Sequence, residues 1–292
     1  MKRIPVSRMV ITLLALLLVF IPARAQEEKA EGGFGVNLVC PPGETPRSYF
    51  LYEISPGHKA DREIELTNRL PYALKVLAYP ADCYNTPDGA LAGPLHGEKS
   101  SVVGTWVTLE ENELILGPGR KKRLNFTLTV PENTISGDYF GFVFLQASPE
   151  KEEQEKKDRN TPGTAAFTVK VQQRLGICLV VRIPGEKKAD LEITSVEKAV
   201  DPKGRLFLCV NIENRGNVYL KPRVAWDLKN PSGESILYSD STEMGYLLPG
   251  HPLRLQIPLL TDRPLARGAY ELSVVVECDE NRKEKKSVIQ LP

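Results

Sequence analysis

Residues 104–146 read GTWVTLEENELILGPGRKKRLNFTLTVPENTISGDYFGFVFLQ, and apolar and polar residues alternate more cleanly here than anywhere else in the chain. From Arg123 to Val130, the side chains of Leu124, Phe126, Leu128 and Val130 fall on one face and those of Arg123, Asn125, Thr127 and Thr129 on the other. A period of two is that of a β-strand with one buried and one wet face. Leu116-Gly117-Pro118-Gly119 supplies the turn before it, and Val130-Pro131-Glu132-Asn133 ends it, because glycine and proline punctuate strands rather than continue them. Tyr139 to Leu145 is expected to follow as the antiparallel partner.

Outward from this stretch, the pattern recurs. Leu248-Pro249-Gly250 is followed by Leu253, Leu255, Ile257 and Leu259 alternating with Arg254, Gln256 and Pro258, and Gly268-Ala269-Tyr270 answers Gly137-Asp138-Tyr139. Upstream, Glu65-Leu66-Thr67-Asn68-Arg69 is echoed by Asn211-Ile212-Glu213-Asn214-Arg215. Two tandem copies of one β unit are the simplest reading. With 23 prolines, 22 glycines and almost no helical periodicity, the expected fold class is all-β, two sandwiches in tandem. Pro184-Gly185-Glu186-Lys187-Lys188 marks the boundary, which gives a first domain at 26–185 and a second at 186–292.

The N-terminus carries Lys2, Arg3 and Arg8, then the apolar run Met9 to Ile21, then Ala23-Arg24-Ala25 as a small-x-small site. Residues 1–25 therefore read as a cleaved secretory signal. The apolar run falls short of the roughly 20 residues needed to cross a bilayer, and no later run is long enough, so no transmembrane anchor is expected after cleavage. No cysteine follows the cleavage site, which argues against a lipoprotein. Removal of the signal takes Lys2, Arg3, Arg8 and Arg24 with it and no acidic residue, so the formal charge of +1 becomes −3. Nucleic acid, which requires a basic footprint, is not an expected partner.

Export permits disulfides. The five cysteines are Cys40, Cys83, Cys178, Cys209 and Cys278, and an odd count leaves at least one without an intrachain partner. Cys209 alternates with Leu208 and Val210 and so faces away from them, whereas Cys278 shares a face with Leu272, Val274 and Val276. A bridge between two sheets needs both side chains inward, so these two are not expected to pair. Cys40 and Cys83, both beside turns of the first domain, form the candidate disulfide, and Cys178 is expected as a free thiol.

No catalytic constellation is present. His58, His96 and His251 sit beside glycine or proline at no metal-ligand spacing, and no nucleophile elbow, phosphate loop or zinc pattern occurs. The expectation is a non-enzymatic protein without metal or cofactor. Trp106 and Trp226 read as core or sheet-edge packing. Two features stand out as candidate binding surfaces. Arg120, Lys121, Lys122 and Arg123 form a compact basic patch suited to an anionic wall polymer. Phe140, Phe142 and Phe144 share one face of a strand whose other face carries Tyr139, Val143 and Leu145, so this strand is either covered on both sides or docks a partner with its rings. The long connection from Pro80 to Val103 is expected to be functional or mobile. The mixed-charge run Ser148 to Gly163 reads as a solvated hairpin loop or a contact arm.

The order of these motifs resembles that of the WxL-interacting proteins of bacterial cell surfaces. The resemblance is carried by Tyr49 to Asn68 with its Ser55-Pro56-Gly57 turn, the Trp106 strand, Leu116-Gly117-Pro118-Gly119, Val130-Pro131, Gly137-Asp138-Tyr139-Phe140-Gly141, and Gln173-Arg174-Leu175-Gly176-Ile177 ending in Pro184-Gly185. Asn214-Arg215-Gly216-Asn217 and Asp227-Leu228-Lys229-Asn230-Pro231-Ser232-Gly233 carry it into the second domain. It implies immunoglobulin-like sandwiches, the first associated with peptidoglycan and the second with partner proteins, and no catalysis. Those proteins usually finish with a membrane helix and a basic tail that this sequence does not show, which fits a periplasmic or released form. The leading expectation is an exported binding or scaffold protein that contacts cell-wall polymer or surface proteins of the envelope. The alternative is a periplasmic pilus-type assembly chaperone acting by β-strand addition, suited by two sandwiches in tandem and a strand apolar on both faces.

Overall fold

The computed structural model describes residues 33–149, 173–201, 205–259, 265–279 and 281–291. The leader and most of the mixed-charge run lie outside these residues. The fold is all-β, two immunoglobulin-like sandwiches in tandem.

The first sandwich is built from β1 (Phe34–Val39), β2 (Phe50–Glu53), β3 (Lys59–Asn68), β4 (Leu74–Asp82), the short hairpin strands β5 (Tyr84–Asn85) and β6 (Leu91–Ala92), one turn of helix α1 (Val103–Trp106), β7 (Val107–Leu109), β8 (Glu113–Leu116), β9 (Lys121–Thr129), β10 (Gly137–Pro149) and β11 (Gln173–Ile183). One sheet runs β1-β3-β9-β7 and the other β2-β11-β10-β4-β8. The alternation of β9 folds as its period requires: Leu124, Phe126 and Leu128 are buried with Ile64 and Leu66 of β3 against Val143, Leu145, Leu179 and Val181 of the opposite sheet. Each such side chain contributes about 1.5–3 kcal/mol on full burial, so this face fixes the register.

Tyr139 to Leu145 is not the partner of β9. β9 pairs with β3 and β7, whereas β10 pairs with β4 and β11 in the facing sheet. The outer face of the β9 sheet carries Glu63, Glu65, Arg123 and Asn125, and a strand apolar on both faces is stable only where both are covered. The chain therefore crosses between sheets at Pro131 to Ser136, and β10 becomes the central strand of the five.

The second sandwich comprises β12 (Leu191–Val200), β13 (Leu206–Asn214), β14 (Arg223–Lys229), β15 (Ser235–Glu243), β16 (Pro252–Pro258), β17 (Gly268–Cys278) and β18 (Asn281–Leu291), arranged as β12-β13-β16 and β15-β14-β17-β18. Leu208, Val210 and Ile212 pack against Val224, Leu272, Val274 and Val276. Residues 33–292 pack as one compact unit, although no sheet crosses the segment between Ile183 and Leu191.

The repeat seen in the sequence has a physical content. Asn68 and Asn214, at the ends of β3 and β13, are both fully buried. The Asn68 side-chain amide donates to the carbonyls of Tyr72 (2.8 Å) and Leu116 (2.9 Å), and its oxygen accepts from the Leu70 N–H (2.9 Å). Asn214 does the same with Val218 (2.8 Å), Leu247 (3.1 Å) and the Gly216 N–H (2.9 Å). Each asparagine thus ties its own turn to the strand end of the opposite side. A second pair of devices answers it: the Tyr139 hydroxyl donates to Ile135 O (3.0 Å) and Tyr270 to Ala266 O (2.9 Å), the tyrosine corner of an immunoglobulin-like sandwich. Gly119 (φ 65°) and Gly250 (φ 71°) supply the left-handed residue of the matching turns.

Asn68→Ala and Asn214→Ala each leave two or three buried carbonyl and amide groups unpaired. Each should lower the unfolding free energy in a urea titration by about 2–4 kcal/mol. Thr108→Ala on the exposed outer face should stay within about 0.5 kcal/mol of the parent. Equal effects of the three would refute the pinning role.

Candidate functional site

β10 belongs to two cores. Val143 and Leu145 face the first sandwich core, while Phe140, Phe142 and Phe144 point outward into a second cluster with Tyr79, Ala81, Cys83, Val180 and Leu248. The three rings are 7% exposed, so they do not form the open docking surface that the sequence offered as a candidate. Two elements cover them. The first is the connection after β4, whose β5–β6 hairpin folds back over the rings instead of standing free. Arg174 of β11 holds it: the guanidinium lies 3.6 Å from the Phe144 ring centre and donates to the carbonyls of Gly93 (3.1 Å) and Pro94. The second cover is the next sandwich, through Leu248, Tyr219 and Tyr246.

Polar groups lock this joint. The Asn85 amide donates to Tyr246 O (2.6 Å) and its oxygen accepts from the Leu248 N–H (2.8 Å), the two-point pairing a neighbouring peptide unit would make. Asp138 N–H donates to Asn217 O (2.7 Å), and the Asp138 carboxylate accepts from the Tyr219 N–H (3.2 Å). Asn217 reaches back to the carbonyls of Ser136 (3.1 Å) and Glu186 (2.8 Å), while the Arg254 N–H donates to Pro87 O (2.9 Å). The sequence reading gave none of these residues a role in a joint, because they lie in turns and at strand ends where no period marks a contact across the chain.

Among the described residues, the same sheet leaves one edge open. β11 pairs with β10 along its whole length, but β2 covers its other side only from Leu179 to Arg182. Among the described residues, nothing pairs with that side from Gln173 to Cys178. The Ile54 N–H donates to Arg182 O (3.1 Å), which sets the parity: Arg174, Gly176 and Cys178 direct their backbone groups to the open edge. The side chain of Leu175 continues the core row of Ile177, Leu179 and Val181, yet is 38% exposed. Gly176 is required by the rings, since a Cβ there would lie 2.7 Å from Phe144.

The basic patch is largely neutralised. Antiparallel pairing of β3 with β9 sets carboxylates beside its cations, with Lys121 to Glu65 at 2.8 Å, Arg123 to Glu63 at 3.2 Å and, from the turn before β8, Lys122 to Glu111 at 2.8 Å. The hydrogen bond from Lys121 holds the Glu65 carboxyl below its usual range. Of the four residues, Arg120 alone makes no ion pair among the described residues.

The candidate disulfide does not form: all five cysteines are free thiols. Cys40 follows β1 in one sheet, and its thiol meets Glu44 O (3.1 Å). Cys83 follows β4 in the facing sheet and lies in the outward ring cluster, so the two belong to different layers. Cys209 is buried outside the second core, while Cys278 lies within it, on the parity the sequence gives. Trp106 packs on Tyr139, ring centres 5.1 Å apart, and Trp226 lies against the second core. Among the described residues no cluster of three or more histidine, cysteine or carboxylate side chains is placed to hold a metal ion, and no helix is long and apolar enough to cross a membrane.

No family model and no curated protein matches this chain. Among solved structures, it is similar to a Salmonella enterica SafA pilin–SafB chaperone complex (13% identity, 89% of this chain and 97% of that one, TM-score 0.42). It is also similar to the E. coli chaperone DraB (14%, 89% and 99%, TM-score 0.37) and to the CsuC-CsuE chaperone–tip adhesion subunit complex of Acinetobacter baumannii (13%, 79% and 98%, TM-score 0.39). Superpositions at this level carry no argument about partner or activity.

Burial pushes the Cys178 thiol up to about 11 and raises that of Cys83, to which the neighbouring Cys178 adds. At pH 8 both stay protonated and are poor nucleophiles. A disulfide-exchange reagent should label them at least about tenfold more slowly in the native protein than in urea, and the unfolded chain should titrate five thiols. A Cys40–Cys83 peptide in non-reducing mapping would contradict this arrangement.

Proposed function

We propose that this chain is an exported, non-enzymatic protein-binding module that takes an extended segment of another envelope protein as an added strand along β11, in the manner of a periplasmic assembly chaperone. The observation that carries the reading is the open side of β11 from Gln173 to Cys178, where backbone donors and acceptors stand in line with an unfinished apolar row at Leu175. An exposed edge of this kind recruits a strand, with main-chain bonds giving affinity and alternate side chains giving selectivity. Two edges of the second sandwich are guarded: β16 is bracketed by Pro252 and Pro258, and β18 carries Arg282 to Lys286, five charged residues in a row. The ion-paired cations at 121–123 leave little net field for an anionic polymer, which favours a protein partner over wall polymer.

Leu175→Lys places a charge on the open edge without disturbing a fully buried group, and Ile115→Lys, 61% exposed on the distant edge strand β8, is its control. Residues 26–292, immobilised and exposed to the exported proteins of the same cell, should retain polypeptides at one-to-one stoichiometry. Leu175→Lys should reduce retention about tenfold or more, and Ile115→Lys should not. Undiminished retention by Leu175→Lys would sink the reading.

A further inference from the structure

Cys178, the last residue of the open edge, also lines a cavity of about 230 Å³ between the two sandwiches. Its other walls are Tyr49 and Leu51 of the β2 segment, Phe140 of β10, and Tyr219 and Tyr246 of the second sandwich, with the exposed Ser48 at the rim. Ligand pockets run to about 300–1,000 Å³, so this one is sized for a side chain. The walls form an edge-to-face series, Phe140 to Tyr219 at 5.6 Å and Tyr219 to Tyr246 at 5.3 Å, which one further ring would extend. Two cations contact the tyrosines of its wall. The Arg47 guanidinium donates to the Tyr49 hydroxyl (3.1 Å) and Lys221 Nζ lies 4.5 Å from the Tyr246 ring centre. Neither meets a carboxylate at ion-pair distance among the described residues. Arg182, also in the lining, meets Glu53 (3.4 Å) and Asp138 (3.7 Å).

We infer that this cavity receives one aromatic side chain of the added strand and that the side chains two positions to either side of it, on the same face, are acidic. The inference rests on strand addition at β11 and deepens it. Arg174, Gly176, Cys178 and Val180 occupy the face of β11 that looks toward the rings, so a strand laid beside Cys178 presents every second side chain on the cavity side. The aromatic walls complement a ring, and the cations held on Tyr49 and Tyr246 complement carboxylates beside it.

The test uses residues 26–292 and twelve-residue peptides, acetylated and amidated, that alternate threonine and valine around one central position and carry an aspartate two positions to either side of it. The central residue is phenylalanine or alanine, and affinity is read by fluorescence anisotropy. The phenylalanine peptide should bind about tenfold or more tightly than the alanine peptide, the equivalent of one buried ring. Ser48→Trp, which fills the rim from an exposed position, should bring the two affinities together by weakening the phenylalanine peptide alone. Leu175→Lys should weaken both peptides. Equal binding of the two peptides to the parent protein overturns the cavity assignment while leaving edge addition standing. Indifference of both to Leu175→Lys overturns edge addition and the cavity assignment with it.

Discussion

The structure depends on one strand having no wet face. β10 carries Val143 and Leu145 on one side and Phe140, Phe142 and Phe144 on the other, and all five are buried. Leaving three phenylalanine rings in water would forgo several kilocalories per mole, roughly 1.5–3 for each ring, so both faces must be covered. The first sandwich core takes one face. The other is taken by the folded-back hairpin and by Leu248, Tyr219 and Tyr246 of the second sandwich. A single sequence feature thus places β10 at the sheet centre, brings the β4–α1 connection down on it and joins the two sandwiches.

Burial alone would permit sliding, since apolar contact has no direction. The polar bonds of the joint supply it. Asn85 grips the backbone on both sides of Leu247, the Asp138 N–H donates across the seam to Asn217 O while Asn217 donates back to Ser136 O, and Gly137 leaves space for the Asn217 carbonyl, which a Cβ would meet at 2.5 Å. These groups are held in a desolvated setting where an unpaired partner is costly, which makes the arrangement specific. The open part of β11 is consequently displayed from a fixed body: Arg174, on the same segment, clamps the hairpin whose other contacts reach Leu253 and Arg254 of the second sandwich.

Much of this was legible in the sequence, and the boundary of legibility has a physical cause. Period-two alternation shows β9, the paired Asn68 and Asn214 segments and the Tyr139 and Tyr270 corners, because burial on one face writes a repeating signal. The same signal flags β10 as a strand apolar on both faces, but not what covers it, since the cover comes from residues in loops far along the chain. Pairing went wrong for the same reason: β9 and β10 are neighbours in sequence, and only three-dimensional packing separates them into facing sheets. The basic run Arg120 to Arg123 looked like a surface field because its carboxylate partners lie on β3 and before β8. The pairing of Cys40 with Cys83 assumed that turns of one domain lie close together, whereas the turns belong to different layers. The edge of β11 that is open among the described residues is invisible in its own sequence; β2 pairs with only four of its residues.

Two sandwiches joined through a buried ring cluster, and a strand incompletely paired among the described residues, carry the proposal that the chain holds another protein by completing its own sheet. The most direct measurement is residue-resolved hydrogen exchange on β11, free and bound to a captured partner. The account predicts that the amides of Gly176 and Cys178, which point to the open edge, exchange rapidly in the free protein while those of Leu175 and Ile177, paired to β10, are protected, and that partner binding slows Gly176 and Cys178 by at least about a hundredfold. A partner that binds tightly while leaving those two amides as fast as before would contradict it.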